Sequence, residues 1–100
     1  MNEERRGRNR YAVRCPVLIV TSRGKHEGET RDLSGTGACI GCRHLLRPED
    51  DCFLEIEFPD GSFFHIPAHV VWTSQPAPDD ETMLARMGVR FQWELKQWQH

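Results

Sequence analysis

The sequence has no long hydrophobic run, which excludes a membrane-spanning helix. No apolar stretch among its 100 residues approaches the roughly 20 residues that a helix needs to cross a bilayer. The first ten residues are polar, and no hydrophobic segment typical of a signal peptide follows them, so we expect a cytoplasmic protein. The length allows one hydrophobic core, and we expect a single domain over residues 1–100.

Lysine is scarce, and the positive charge is concentrated at one end. Of the 13 basic residues all but Lys25 and Lys96 are arginine, whose planar guanidinium suits bidentate contacts with phosphates and base edges. Residues 1–14 carry five arginines and two glutamates, or +3, which leaves −5 for the rest of the chain. With a pI near 6.2 a broad DNA- or RNA-binding surface is not expected. A small anionic ligand fits this distribution better than a polymer.

The cysteines lack the spacing of a metal site. Cys39 and Cys42 form one C-x-x-C pair with His44 nearby, but Cys15 and Cys52 stand alone, whereas zinc sites normally use two close pairs. We therefore expect no metal and no cofactor. In a reducing cytoplasm the thiols are expected to act as small apolar side chains rather than to form disulfides.

Short segments with a period of two predict an all-β fold. The clearest strand runs from Cys52 to Phe58, and Pro59-Asp60-Gly61-Ser62 predicts a hairpin turn after it. The next strand, Phe63–Thr73, is predicted to direct five residues to one face: Phe64, Ile66, Ala68, Val70 and Trp72. The other strands are predicted at about Val13–Thr21, His26–Asp32, Ala38–Gly41 and Met87–Phe91. Six or seven antiparallel strands indicate a barrel or a sandwich, and a closed barrel removes exposed strand edges.

The two ends of the chain differ from this pattern. Residues 1–10 lack apolar periodicity, and we expect a flexible arm there, then a barrel over residues 11–92 and a short helix over residues 93–100. The last segment contains Trp93, Leu95 and Trp98 among polar residues; we expect it to pack on the core, with plugging of one barrel end or contact with another chain as alternatives. No nucleophile with a paired base is recognisable, so we expect no enzymatic activity.

The arm Arg5-Arg6-Gly7-Arg8-Asn9-Arg10 is the first of two motifs that flank the first strand. Arg6 and Arg10 are four residues apart, a spacing that spans up to about 13 Å in an extended chain. Arginine N–H groups match the O6 and N7 acceptors of guanine, and the guanidinium plane stacks on a purine. The arm is therefore a candidate site for a guanine nucleotide, with a solvated basic tail as the alternative.

The turn Asp32-Leu33-Ser34-Gly35-Thr36-Gly37 is the second motif. Its two glycines are expected to adopt positive φ and to expose successive N–H groups to an anion. Asp32 is expected to accept hydrogen bonds from guanine N1–H and N2–H, and Ser34 to bond a phosphate or a base edge. The alternative is a tight β-turn that the aspartate and serine stabilise.

Together, in this order and separation, the two motifs resemble those of the PilZ domain family. Arg6 and Arg10 match its RxxxR pattern, while Asp32, Ser34 and Gly37 match DxSxxG. The resemblance extends from Glu4 to about Leu95, and it includes two further segments, Val70-Val71-Trp72 and Met87-Gly88-Val89-Arg90-Phe91.

The resemblance implies a six-stranded antiparallel β-barrel that binds the bacterial second messenger cyclic di-GMP, often as an intercalated dimer of the nucleotide. It assigns base and phosphate contacts to Arg6 and Arg10, with Arg5 as a helper. It assigns polar contacts to Asp32 and Ser34, and close backbone approach to Gly37.

A receptor function follows from that resemblance. An arm that becomes ordered on the nucleotide changes the surface presented to a downstream protein, in processes such as motility or biofilm regulation. One alternative is an adaptor of the same family that binds partners without nucleotide, although such members lack the arm arginines or the turn residues. The other is nucleic-acid binding by the arm, which predicts a steep salt dependence.

Overall fold

The barrel is formed by six antiparallel strands. The computed structural model describes residues 11–43, 46–76, 78–79 and 84–92. The strands are β1 (Pro16–Thr21), β2 (Gly24–Leu33), β3 (Gly37–Cys42), β4 (Asp51–Glu57), β5 (Phe63–Ser74) and β6 (Ala85–Phe91). Their order around the closed barrel is β1-β2-β3-β6-β5-β4. This confirms the predicted fold class; the expected arm over residues 1–10 and helix over residues 93–100 lie outside the described residues. In the described part of the chain no helix is long and apolar enough to span a membrane.

Alternation along the strands fills the barrel with apolar side chains. In β4, Leu54 and Ile56 are fully buried, whereas Phe53 between Cys52 and Leu54 is 55% exposed. The same alternation in the other strands builds one core with members from five more strands: Ile19, Thr30, Ile40, Val70 and Met87. Because the interior is filled, the polar side chains that can bind a ligand lie on the outer wall and at the barrel ends.

The predicted inward face of β5 is wrong at Trp72. Ile66, Ala68 and Val70 are buried as expected, but Trp72 is 44% exposed. The register with β6 shifts here, because Val70 pairs with Val89 and Trp72 pairs with Gly88. Val71 is thus an extra residue, a β-bulge that reverses the alternation and directs the indole outward.

One end of the barrel is open and apolar. Phe64 lies there and is 44% exposed, with its ring edge-on to Phe58 at a centroid distance of 4.9 Å. These two rings, Leu33 and Phe91 are among the residues lining a cavity of about 510 Å³, which we call the end cavity. Its lining is almost wholly apolar.

A loop before β4 is fastened to β5 by backbone and side-chain contacts. Glu49 N–H donates to the Val70 carbonyl at 2.8 Å, and Val70 N–H donates to the Asp50 carbonyl at 2.8 Å. His69 lies between two carboxylates, with its Nδ1 2.8 Å from Asp51 Oδ1 and its Nε2 3.2 Å from Glu49 Oε1. The attachment of this loop to β5 therefore depends partly on the ionisation of His69.

Candidate functional site

The first described residue is fastened beside the glycine-containing turn. Tyr11 N–H donates to the Leu33 carbonyl at 2.7 Å, and Leu33 N–H donates to the Tyr11 carbonyl at 2.9 Å. Leu33 lies between Asp32 and Ser34 in the chain. Arg10 directly precedes Tyr11 in the chain, so the predicted arm is adjacent in sequence to a residue held at the turn.

Buried Thr30 holds the segment between Tyr11 and β1. Cys15 N–H donates to Thr30 Oγ1 at 2.8 Å, and the same hydroxyl donates to the Val13 carbonyl. The Thr30 N–H donates to the Cys15 carbonyl at 2.9 Å. Because these bonds tie residues 13–15 to β2, the root of the arm has a fixed position on the barrel.

Ser34 closes the turn with its own backbone and hydroxyl. Its N–H donates to the Gly37 carbonyl at 2.9 Å, and its Oγ accepts from the N–H groups of Gly37 at 3.2 Å and Thr36 at 3.3 Å. The residue is buried. The turn is therefore stabilised internally, as in the alternative interpretation of the motif, and a contact from Ser34 to a ligand stays a prediction.

The expectation of positive φ at the two turn glycines is wrong. Among the described glycines only Gly24, at φ 144°, and Gly61, at φ 91°, have positive values. Gly37 is required for a different reason, since a Cβ there would overlap the carbonyl oxygen of Val89. It allows β3 to approach β6 closely. Gly35 has open space around it.

A cleft of about 780 Å³ lies on the outer wall of the barrel next to the turn. Its volume falls within the range of small-molecule sites. We call it the wall cleft, and its lining includes Asp32, Gly37, Cys39, Trp72, Gly88 and Arg90. Strand pairing explains the arrangement: Asp32 is opposite Cys39, Cys39 opposite Gly88, and Gly88 opposite Trp72. These four residues form one row across β2, β3, β6 and β5, from the carboxylate of Asp32 to the indole of Trp72.

Trp72 and Arg90 also line the wall cleft, although they were not among the predicted site residues. The five-membered ring of Trp72 occupies the space above Gly88, where an added Cβ would lie 2.8 Å from Trp72 Cδ1. Arg90 is exposed, and its guanidinium makes no ion pair or hydrogen bond with the described residues. The strand alternation that directs Met87 and Val89 inward and Arg90 outward could be predicted from the sequence. The bulge that turns Trp72 outward could not.

The structure brings together three of the six predicted site residues. Asp32 and Gly37 line the wall cleft, and Ser34 lies in the turn at its edge. The remaining three, Arg5, Arg6 and Arg10, lie outside the described residues. The turn also separates two spaces, because Leu33 and Ser34 line the end cavity while Asp32 and Gly37 line the wall cleft.

The cysteines show no redox or metal arrangement in the described part of the chain. None of the four forms a disulfide, and no group of three or more His, Cys, Asp or Glu residues is placed to hold a metal there. Burial raises the pKa of Cys52 to about 11, and the charges of Asp51 and Asp50 add to the effect. Its reactive thiolate form is therefore rare near neutral pH.

Comparison with known families and structures gives a consistent result. The model of the family described as PilZ domain matches residues 4–99. No curated protein matches the chain. Among solved structures, the PilZ domain of YcgR from Escherichia coli with c-di-GMP has a TM-score of 0.71 at 15% identity, covering 83% of this chain and 74% of that one.

Two further structures share the fold. The PilZ domain of CeSA from a cellulose-synthesizing bacterium has a TM-score of 0.61 at 20% identity, covering 84% of this chain and 80% of that one. The Bacillus subtilis inhibitor of motility, MotI/DgrA, has a TM-score of 0.70 at 14% identity, covering 82% of this chain. The chain spans only 40% of the length of that protein.

Proposed function

Because the chain belongs to the PilZ domain family, we propose that it is a receptor for cyclic di-GMP that signals through contacts with another protein. The family consists of receptor and adaptor domains rather than enzymes. The related YcgR domain was solved with c-di-GMP. For this chain the ligand is a proposal, and it rests on the arrangement of the arm root, the turn and the wall cleft.

The pairing of Tyr11 with Leu33 is the observation that carries the proposal. It holds Tyr11, the residue after Arg10, against Leu33, whose chain neighbour Asp32 lines a cleft large enough for a small ligand. An extended chain advances about 3.3 to 3.6 Å per residue, so Arg10 and Arg6 have the reach to close over a nucleotide in that cleft.

Each predicted site residue has a role in this proposal. Arg6 and Arg10 bind guanine edges and phosphates, and Arg5 adds a further cation. Asp32 accepts hydrogen bonds from guanine N1–H and N2–H. Ser34 keeps the turn closed and offers its hydroxyl at the edge of the site, and Gly37 leaves the cleft floor without a side chain. An intercalated nucleotide dimer is the form of ligand that the family suggests.

The output follows from ordering the arm. An arm with four arginines and two glutamates in residues 1–10, or +2, that closes over an anionic ligand changes both the shape and the charge of the surface beside the turn. A partner protein that binds the surface with bound nucleotide better or worse than the surface without it responds to the nucleotide concentration. The property that we expect of the partner is this preference for one of the two surfaces.

Calorimetric titration with cyclic di-GMP tests the proposal. We expect saturable binding to the full chain, and Arg6→Ala or Arg10→Ala to weaken it roughly tenfold or more, because each removes a charge-assisted contact. Arg43→Ala is the matched control, since Arg43 is exposed and does not line the wall cleft; it should leave the affinity unchanged.

Two results would contradict the receptor proposal in different ways. Folded wild-type protein that gives no heat with tens of micromolar ligand would favour the adaptor function. Tighter binding to long RNA or DNA than to the cyclic dinucleotide, with a steep loss of affinity as salt rises, would favour nucleic-acid binding by the arm.

A further inference from the structure

A second groove, of about 390 Å³, lies on the outer wall of the barrel, and we call it the acidic groove. Its described lining contains three glutamates and no lysine or arginine, and it includes Pro16, Leu18, Glu27, Glu55, Glu57 and Phe63. The acidic groove and the wall cleft lie on opposite sides of β2, because β1 and β3 are the two neighbours of that strand. The outer wall therefore has a negatively charged groove separate from the proposed nucleotide site.

Strand pairing explains why the glutamates surround apolar side chains. Leu18 pairs with Glu27 on one side and with Glu55 on the other. Glu57 pairs with Phe63, whose ring is 55% exposed. Arginine suits such a surface, because its apolar stem packs on hydrophobic side chains while its guanidinium binds carboxylates and stacks on rings.

The described cations leave part of this negative charge unpaired. His65 Nδ1 lies 3.7 Å from Glu55 Oε2, whereas Glu27 and Glu57 form no ion pair with the residues that the structure describes. Beside the groove, Glu29 is opposite Pro16 in the strand pair, and its carboxylate lies 3.6 Å from the guanidinium of Arg14. The segment that joins the arm to β1 therefore already contacts the acidic side of the barrel.

The arm, residues 1–10, has the charge and the reach to bind in the acidic groove. It carries four arginines and two glutamates, or +2, which leaves −4 for the rest of the chain. Tyr11 and Phe58 both line the end cavity, and Glu57 directly precedes Phe58. Five extended residues span up to about 18 Å, so the arginines that precede Tyr11 can contact the glutamates of the groove.

We propose that in the nucleotide-free protein the arm binds in the acidic groove, with its arginines against Glu27, Glu55 and Glu57, and that cyclic di-GMP has to displace it. The displacement rests on the proposed function, whereas the contact between arm and groove does not require the nucleotide. Since the groove and the wall cleft lie on opposite sides of β2, one arm cannot occupy both at once. The contact therefore lowers the apparent nucleotide affinity in proportion to the fraction of protein whose arm is bound in the groove.

Two-dimensional NMR of the nucleotide-free full chain tests the contact. The variant Arg5→Gln/Arg6→Gln/Arg8→Gln/Arg10→Gln removes the positive charges of the arm and should shift the amide signal of Leu18 at the centre of the groove. High salt should move the wild-type signal in the same direction, because exposed ion pairs are screened.

A mutant cycle shows whether the shift comes from the acidic groove. In a Glu27→Gln/Glu57→Gln background, the arm substitutions should no longer move the Leu18 signal, because the carboxylates that hold the arm are gone. Asp60→Asn/Asp79→Asn is the matched control, since it removes two exposed carboxylates that do not line the groove. In that background the shift should persist.

Calorimetric titration measures the competition between groove and nucleotide. Glu27→Gln/Glu57→Gln should bind cyclic di-GMP roughly twofold to tenfold more tightly than wild type, because each exposed ion pair contributes little by itself. Asp60→Asn/Asp79→Asn makes the same change in net charge and should leave the affinity within about twofold of the wild-type value.

The outcomes separate this inference from the receptor proposal. If the arm substitutions leave the Leu18 signal of the folded protein unchanged, the contact is refuted whether or not the nucleotide binds. If the signal shifts but wild-type protein gives no heat with cyclic di-GMP, the contact stands, while the receptor function and the displacement are refuted. Equal nucleotide affinities of wild type and Glu27→Gln/Glu57→Gln would refute the competition. A contact that is lost on dilution would show that the arm of a second copy occupies the groove, which overturns binding within one chain.

Discussion

At the scale of single residues, one buried hydroxyl holds the segment that precedes β1. Thr30 is fully buried, and its hydroxyl both accepts from Cys15 N–H and donates to the Val13 carbonyl. A buried backbone group that loses its partner costs more free energy than the hydrogen bond itself contributes. Thr30 thus connects core packing to the position of residues 13–15.

Thr30→Val should lower the free energy of unfolding by about 1–3 kcal/mol, because it keeps the shape of the side chain but leaves the Cys15 N–H without its hydroxyl partner. Urea unfolding measures the loss, and amide hydrogen exchange should show faster exchange at Cys15. Thr30→Ser is the control that retains the hydroxyl. If Thr30→Val leaves exchange at Cys15 unchanged, the hydroxyl does not hold the arm root.

At the scale of elements, sequence patterns predicted strands better than they predicted where strands deviate. The alternation of β4 was read correctly, since it is regular, and its polar positions point outward. In β5 the same rule failed at Trp72, because a bulge depends on pairing with β6, which is distant in sequence. The turn motif was located correctly, but neither of its glycines has positive φ, and Gly37 instead allows two strands to pack closely.

The loop before β4 is an element whose attachment depends on pH. His69, with 19% of its side chain exposed, faces Asp51, Glu49 and, across the strand pair, Arg90. The hydrogen bond to Asp51 and then the one to Glu49 raise the pKa of His69, while partial desolvation opposes them. Because the folded-state pKa is raised, this stabilisation is fully present below about pH 6.5 and is lost as the pH rises through the folded-state value.

We expect the stability difference between wild type and His69→Gln to be larger at about pH 6 than at about pH 8. Thermal or urea unfolding of both proteins at each pH measures it. His65→Gln, on the same strand, is the matched control for removing an exposed histidine. A difference that grows with pH would show that the histidine is not stabilised in its charged form.

At the scale of the whole molecule, closure makes the barrel one cooperative unit. Each strand pairs with two neighbours, and β4 returns to β1 to complete the ring. Fold class could be predicted from the sequence, since six periodic segments in a short chain leave few ways to bury one face each. The order β3-β6-β5 and the open end near Phe64 could not, because they depend on contacts between segments far apart in sequence.

Leu54→Ala should lower the free energy of unfolding by about 2–5 kcal/mol, because it leaves a cavity at a fully buried position. Phe53→Ala, at the neighbouring position that faces solvent, should change it by about 0.5 kcal/mol or less. Urea unfolding followed by both circular dichroism and fluorescence measures the effect. Transitions that differ between the two probes would contradict a single cooperative unit.

The ring of hydrogen bonds also restricts how this molecule meets another protein. Each of the six described strands pairs with two neighbours, so none of them offers a full-length free edge that a binding partner could extend with a strand of its own. We therefore expect a partner to recognise mainly side chains, at the outer wall, the end cavity or the arm. The proposed binding of a nucleotide beside the turn would therefore act on side-chain surface, the kind of surface by which this barrel can contact a partner.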